Sequence, residues 1–120
     1  MQPILPSLNV NVVLFDTFSN MVLPCLLERL RVVRDEVAAD ISRTILNHTD
    51  APALSPSGPR TAPDMSRAKA KPRDMLIVIG GDDFRADARD PGLRQSSNLT
   101  KTATTEIAAD TGTWLLATAE

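Results

Sequence analysis

Two short stretches hold the residues that could do chemistry. One is Gly80-Gly81-Asp82-Asp83-Phe84, where two carboxylates follow two glycines. The other is Ala109-Asp110-Thr111-Gly112, where a short strand from Glu106 to Ala109 gives way at once to a helical pattern containing Trp114, Leu115 and Leu116. Adjacent carboxylates could serve a hard cation, but such a site collects oxygen ligands from several segments, and two neighbouring aspartates in a turn are ordinarily solvated. Neither a metal nor another cofactor is expected from them. A strand that turns sharply into a helix is the geometry that presents a nucleophile. Here it presents Asp110, a carboxylate without an adjacent acid or base and therefore a poor acyl-transfer nucleophile. His48 is the one histidine in the chain, which leaves no multi-histidine metal chemistry, and it is expected at the surface after a strand. Cys25, the one cysteine, has no His or Lys close in sequence, which favours a small packed side chain over a reactive thiol. There is no Gly-x-Ser-x-Gly elbow and no glycine-rich phosphate loop opening a helix.

These residues need elements to position them. Met75-Leu-Ile-Val-Ile79 is a continuous apolar run stopped by two glycines, the pattern of a parallel strand buried on both faces. Ligands of open α/β sheets sit outside the carboxyl ends of such strands, so Gly80 to Asp83 marks the rim of a candidate site. The Gly-Gly-Asp-Asp-Phe string also resembles the diguanylate cyclase signature, which lies between two antiparallel strands. The residues after Phe84, Arg-Ala-Asp-Ala-Arg-Asp-Pro, carry no second-strand pattern and argue against that reading.

Leu8 to Phe15 is rich in β-branched residues and predicts the first strand. A helix follows, capped by Ser19 or Asn20, with Pro24 in its opening turns and an apolar stripe of Leu23, Leu26, Leu27, Leu30, Val33 and Val37. Glu28, Arg31, Asp35 and Asp40 are left towards solvent. Ile41 to Asn47 predicts a second strand. Between Ala51 and Arg73 stand five of the nine prolines, so this stretch is an extended excursion or a small hairpin around Ser57-Gly58, followed by a short polar helix near Asp64 to Ala70. Phe84 to Pro91 reads as a loop or short turn. A thin helix from Pro91 through Leu93, Leu99 and Ala103, capped by Asp90, a strand from Glu106 to Ala109 and a helix from Thr113 to Ala119 complete the chain. This alternation predicts an α/β fold, a doubly wound parallel sheet with helices on both faces.

At 120 residues the chain is expected to be one domain over 8–120 behind a loose leader, 1–7. A net charge of −2 gives no field to attract nucleic acid or anionic lipid, and 3% aromatics without Tyr gives no base-stacking platform. Arg60, Arg67, Lys69, Lys71 and Arg73 gather in the excursion and read as a solvated face. No apolar run approaches the roughly 18 residues needed to span a bilayer. With the single cysteine, this points to a cytoplasmic protein without a disulfide.

Taken in order, Val12-Val-Leu-Phe-Asp-Thr-Phe-Ser19, Leu27-Glu-Arg-Leu-Arg31, Leu76-Ile-Val-Ile-Gly-Gly-Asp82 and Ala109-Asp-Thr-Gly-Thr-Trp-Leu-Leu-Ala117 resemble the N-terminal domain of GlxA-type members of the AraC transcriptional-regulator family. That domain is similar to the PfpI-like, class I glutamine amidotransferase-like superfamily, which implies a flavodoxin-like α/β sandwich. In its enzymes a helix-borne glutamate faces an elbow cysteine, and a histidine further on completes the site. The resemblance places Glu28 at the glutamate position and Asp110 at the cysteine position, and puts the histidine segment beyond Glu120. It implies a non-catalytic domain with a ligand or dimer surface around Glu28, Gly80, Gly81, Asp82 and Asp110. The partners it implies are a small-molecule effector and either a second copy or a full-length regulator. Neither nucleic acid nor membrane binding is implied, because the paired helix-turn-helix motifs of the regulators have no counterpart in these residues. A truncated regulator is therefore the expectation, incomplete at the C-terminus and prone to marginal stability or self-association. The alternatives are a degenerate fragment of a PfpI-like hydrolase or amidotransferase, and a stand-alone interaction module.

Overall fold

A computed structural model describes residues 7–37, 39–70, 74–90 and 105–119. The described elements are β1 (Ser7–Leu14), α1 (Val22–Glu36), β2 (Asp40–Asn47), β3 (Ala53–Leu54), β4 (Arg60–Thr61), β5 (Met75–Ile79), α2 (Phe84–Arg89), β6 (Thr105–Ala109) and α3 (Gly112–Ala119). Four strands form a parallel sheet in the order β2-β1-β5-β6. The doubly wound α/β architecture expected from the alternation of apolar runs is the one observed.

β1 is central because its side chains suit burial on both faces. Successive side chains of a strand point to opposite sides. Val10, Val12 and Leu14 therefore join Phe18, Leu23, Ala53, Ile77 and Ile79 on the side covered by α1, with Val22, Leu26 and Leu27 packed over them. Val13 and Phe15 join Leu46, Leu76, Val78 and Leu115 on the other side, covered by α3 and by Phe84 and Ala88 of α2.

Several local expectations change. Residues 84–89, read as a loop or short turn, form a short helix, because Phe84 and Ala88 at i,i+4 both reach the second core and the Asp87 amide donates to the Asp83 carbonyl at 3.0 Å. α1 starts at Val22 without a side-chain cap. Ser19 works one turn earlier, its Oγ accepting from the Met21 amide at 3.3 Å and its carbonyl from the Val22 amide at 3.1 Å. Only the first half of the α1 stripe is covered: Leu23 is buried, but Val33 and Val37 are 49% and 56% exposed. Leu30 lies beside Ile41 and Arg43 of β2, and beyond it no layer lies beneath the last turns among the described residues. Trp114 is 57% exposed and meets Phe84 edge-on at 5.8 Å, while Leu115 takes the fully buried position.

The excursion holds the expected hairpin, with Ala53 opposite Thr61 and Leu54 opposite Arg60. A single 3-10 turn, Arg67–Lys69, stands where a polar helix was expected, its start held by Ser66 Oγ accepting from the Ala68 amide at 3.2 Å. The helix expected from Pro91 to Ala103 lies outside the described residues.

Candidate functional site

β1 and β5 are neighbours in the sheet, yet the chain leaves β1 for α1 on one face and leaves β5 for α2 on the other. This is the topological switch point of a doubly wound sheet, where the loops diverge and open a crevice at the carboxyl ends. Phe18 and Gly81 form an antiparallel bridge across it. The Asp82 amide donates to the Thr17 carbonyl at 3.2 Å and the Asp83 amide to Thr17 Oγ1 at 2.9 Å. The approach is so close that a Cβ on Gly81 would lie 2.3 Å from the Asp16 carbonyl oxygen. Only glycine fits there.

The elbow closes onto the same rim. Asp110 has φ 54°, the left-handed backbone of a sharp strand-to-helix turn. Thr111 Oγ1 donates to the Gly81 carbonyl at 2.8 Å, and the Gly80 amide donates to the Ala109 carbonyl at 3.4 Å. A Cβ on Gly80 would meet Thr111 Oγ1 at 2.5 Å, and one on Gly112 would meet the Val78 carbonyl oxygen at 2.3 Å. Three loops, 16–18, 80–83 and 109–112, are thus locked backbone to backbone.

Beside them lies a cleft of about 520 Å³. Its floor and one wall are Thr17 to Met21, its far wall is the hairpin tip, Ser55, Pro56 and Ser57, and Asp82 supplies the carboxylate of the lining. The hairpin is tied to the β1 loop by the Thr17 amide donating to the Leu54 carbonyl at 2.9 Å and the Leu54 amide donating to Asp16 Oδ1 at 3.0 Å. Hydroxyls, an amide and one carboxylate line the open cleft together with Phe18, Met21 and Pro56, a mixed surface in which a few polar groups stand among apolar ones, as in small-molecule sites.

Neither a family model nor a curated protein matches the sequence. Solved structures do match. A protein from Vibrio parahaemolyticus assigned as a transcriptional regulator superposes with a TM-score of 0.78 at 19% identity, over 95% of this chain and 62% of that one. A ThiJ/PfpI family protein from Pseudomonas syringae gives 0.76 at 16% identity, over 96% of this chain and 47% of that one. An AraC family transcriptional regulator from Pseudomonas putida gives 0.74 at 25% identity, over 92% and 60%. This chain has the ThiJ/PfpI fold. It spans about half to three fifths of the length of these three proteins.

Of the residues singled out in the sequence, the ThiJ/PfpI fold brings Gly80, Gly81, Asp82 and Asp110 to one rim. Asp82 lines the cleft, while Asp110 stands at the elbow beyond Gly80. Glu28 is elsewhere. Its side chain is 65% exposed on α1 and pairs with Arg31, whose guanidinium holds the carboxyl below the ordinary carboxylate range. It shares a shallow groove with Ile41 and Arg43, the partners of Leu8 and Val10 in the opening half of β1. Glu28 and Asp110 therefore sit towards opposite ends of the strands and do not face each other.

Two further residues depart from expectation. Cys25, expected to be packed, is exposed on α1. His48, expected at the surface, is 4% exposed, stacked on Phe15 with ring centroids 4.4 Å apart, its Nε2 2.6 Å from Asp90 Oδ2. The signal was in the strand ends: β1 and β2 are in register at Leu14 and Asn47, so His48 falls beside Phe15. Nearby, burial pushes the Asp87 carboxyl up, and the charge of His48 opposes that shift. Asn47 is buried too, its amide donating to the Ala51 and Thr61 carbonyls at 2.7 and 2.8 Å, which roots the excursion on β2. Among the described residues no group of three or more His, Cys, Asp or Glu side chains could hold a metal, and no helix is long and apolar enough to cross a membrane.

Proposed function

We propose that this chain is a non-catalytic, effector-binding domain of a GlxA-type AraC family regulator, taking a small polar molecule in the cleft between the β1–α1 connection, the hairpin tip and Asp82. The observation that carries the reading is the elbow. Its strained position, φ 54°, is occupied by Asp110, which makes no side-chain hydrogen bond or ion pair among the described residues. A carboxylate without a positioned acid or base has neither the nucleophilicity nor the proton relay that acyl transfer needs. What remains at the switch point is a site that can bind. The likeness in fold to an AraC family regulator supports placing that site in transcriptional control, and the net charge of −2 speaks against DNA contacts by these residues.

The test is a thermal-shift screen with small polar metabolites, followed by calorimetry. A ligand is expected to raise the melting temperature of the wild type and of Glu28→Gln but not of Asn20→Trp, which fills the cleft. A ligand that stabilises Asn20→Trp equally would remove the cleft from the proposal. Ester or amide hydrolysis that disappears in Asp110→Asn would favour the other reading, a degenerate hydrolase.

A further inference from the structure

β2 is an edge strand: β1 lies along one side of it, and among the described residues no strand lies along the other. Successive residues of a strand turn their N–H and C=O groups to alternate edges. Ile45 faces the outer edge, where its amide donates to Asp64 Oδ2 at 2.7 Å and its carbonyl accepts from the Asp64 amide at 2.8 Å. Asp64 thus caps the strand at that point as a partner strand would. Arg43 and Ile41, two and four residues earlier, face the same way. The Ile41 amide is taken locally by the Ala39 carbonyl at 3.2 Å, but the Ile41 carbonyl and both backbone groups of Arg43 have no protein partner among the described residues. This half of the edge is open.

Beside it lies the groove of about 240 Å³ between α1 and β2. Leu27, Leu30 and Ile41 make its lining partly apolar, and Arg31, Arg34 and Arg43 stand there against a single carboxylate, Glu28. The other two carboxylates that pair with these arginines, Asp35 and Asp64, lie outside the lining. They hold the guanidinium groups loosely. Arg34 reaches Asp35 through Nε at 3.0 Å, and Arg43 reaches Asp64 at 3.4 Å through an oxygen already engaged by the Ile45 amide. These side chains are about half exposed, where an ion pair contributes little and is readily exchanged for another. A small anion would satisfy the guanidinium groups and leave the strand edge to water. An extended acidic peptide satisfies both, its main chain pairing with the edge and its side chains reading the arginines. A second copy of β2 would bring its own Arg43 to the same edge, so charge works against self-pairing. We propose that the edge of β2 from Ile41 to Arg43 is a docking site for an extended acidic segment of another protein, added as a strand with alternate Glu or Asp side chains against Arg34 and Arg43. The site stands apart from the cleft and does not depend on the effector reading.

The experiment is fluorescence anisotropy of the whole 120-residue chain with a labelled peptide of about six residues, roughly 20 Å long, in which Glu alternates with Thr. A dissociation constant on the order of 100 μM is expected at low salt, weakening as salt is added. Arg34→Glu and Arg43→Glu should each weaken binding roughly 3- to 10-fold, with circular dichroism checking that the variants fold. Arg29→Glu makes the same change in net charge on α1 outside the groove and should stay within about 2-fold of wild type. Because one alternate set of peptide amides faces the edge, N-methylation of that set should abolish binding while N-methylation of the other set leaves it. No binding at about 1 mM, or a loss on Arg29→Glu equal to that on Arg34→Glu, would overturn the proposal. So would a peptide with Gln for Glu that binds as tightly, both methylated peptides binding alike, or displacement by an equal concentration of free glutamate, which would mark a simple anion site.

Discussion

At the carboxyl rim a methyl group on Gly81 would sit 2.3 Å from a backbone oxygen, whereas on the outer half of α1 Val33 and Val37 stand about half exposed. The two regions differ in what lies opposite. The rim is backbone against backbone, so its residue types are dictated by space. The helix is side chain against solvent after Leu30, so its residue types are free of the core and available for other uses. Apolar periodicity states which face could be buried; only the layers actually present decide how far along the helix that burial runs.

The sharpest way to break the contrast is to add one carbon at the rim. Gly81→Ala or Gly112→Ala is expected to cost about 3 kcal/mol in urea denaturation, since the obstructing atoms are backbone carbonyls that cannot rotate away. A cost below about 1 kcal/mol would mean that the three loops are not locked. Next is His48→Ala, which removes the stack on Phe15 and leaves Asp90 without its imidazole; about 2 kcal/mol of stability should go with it. Asp110→Gly works in the opposite direction. Relieving φ 54° should raise stability by up to about 1 kcal/mol, read as an increased denaturation midpoint.

Asp87 offers a pH test. Burial holds its proton in the folded state to a higher pH than in the unfolded chain, so the folded state binds the extra proton above the ordinary value of 3.8. Stability therefore declines as pH rises through the window between 3.8 and the raised folded value, and the penalty persists at neutral pH. Asp87→Asn should be more stable than wild type at neutral pH and show a shallower decline across that window. The smallest effect belongs to α1: Val33→Ser or Val37→Ser, measured on dilute chain, should stay within about 0.5 kcal/mol of wild type.

Much of this was legible from composition along the chain. Val10 to Phe15, Ile41 to Asn47 and Met75 to Ile79 are dense in β-branched and aliphatic residues, and all three lie in or directly follow strands of the parallel sheet. The rim residues Gly80, Gly81 and Asp110 were legible because a turn must follow a buried strand. α2 was not, because six residues with only Phe84 and Ala88 apolar carry too little periodicity. Nor was the burial of His48, whose partner Asp90 lies 42 residues away. The position of Glu28 was misleading for a geometric reason. A helix that packs back across a sheet carries its later residues towards the amino ends of the strands, so each turn into α1 moves a side chain further from the rim.

The strand order also sets a timetable. β1 pairs on one side with β2, 33 residues on, and on the other with β5, 65 residues on. As the chain leaves the ribosome, β1, α1 and β2 can close as one unit, but the free edge of β1 must wait for Met75 to Ile79. Until then the nascent protein presents an unpaired strand edge to whatever is nearby. Holding that edge closed is work for a chaperone, and slowing translation between residues 50 and 74 should increase aggregation more than slowing it anywhere after β5.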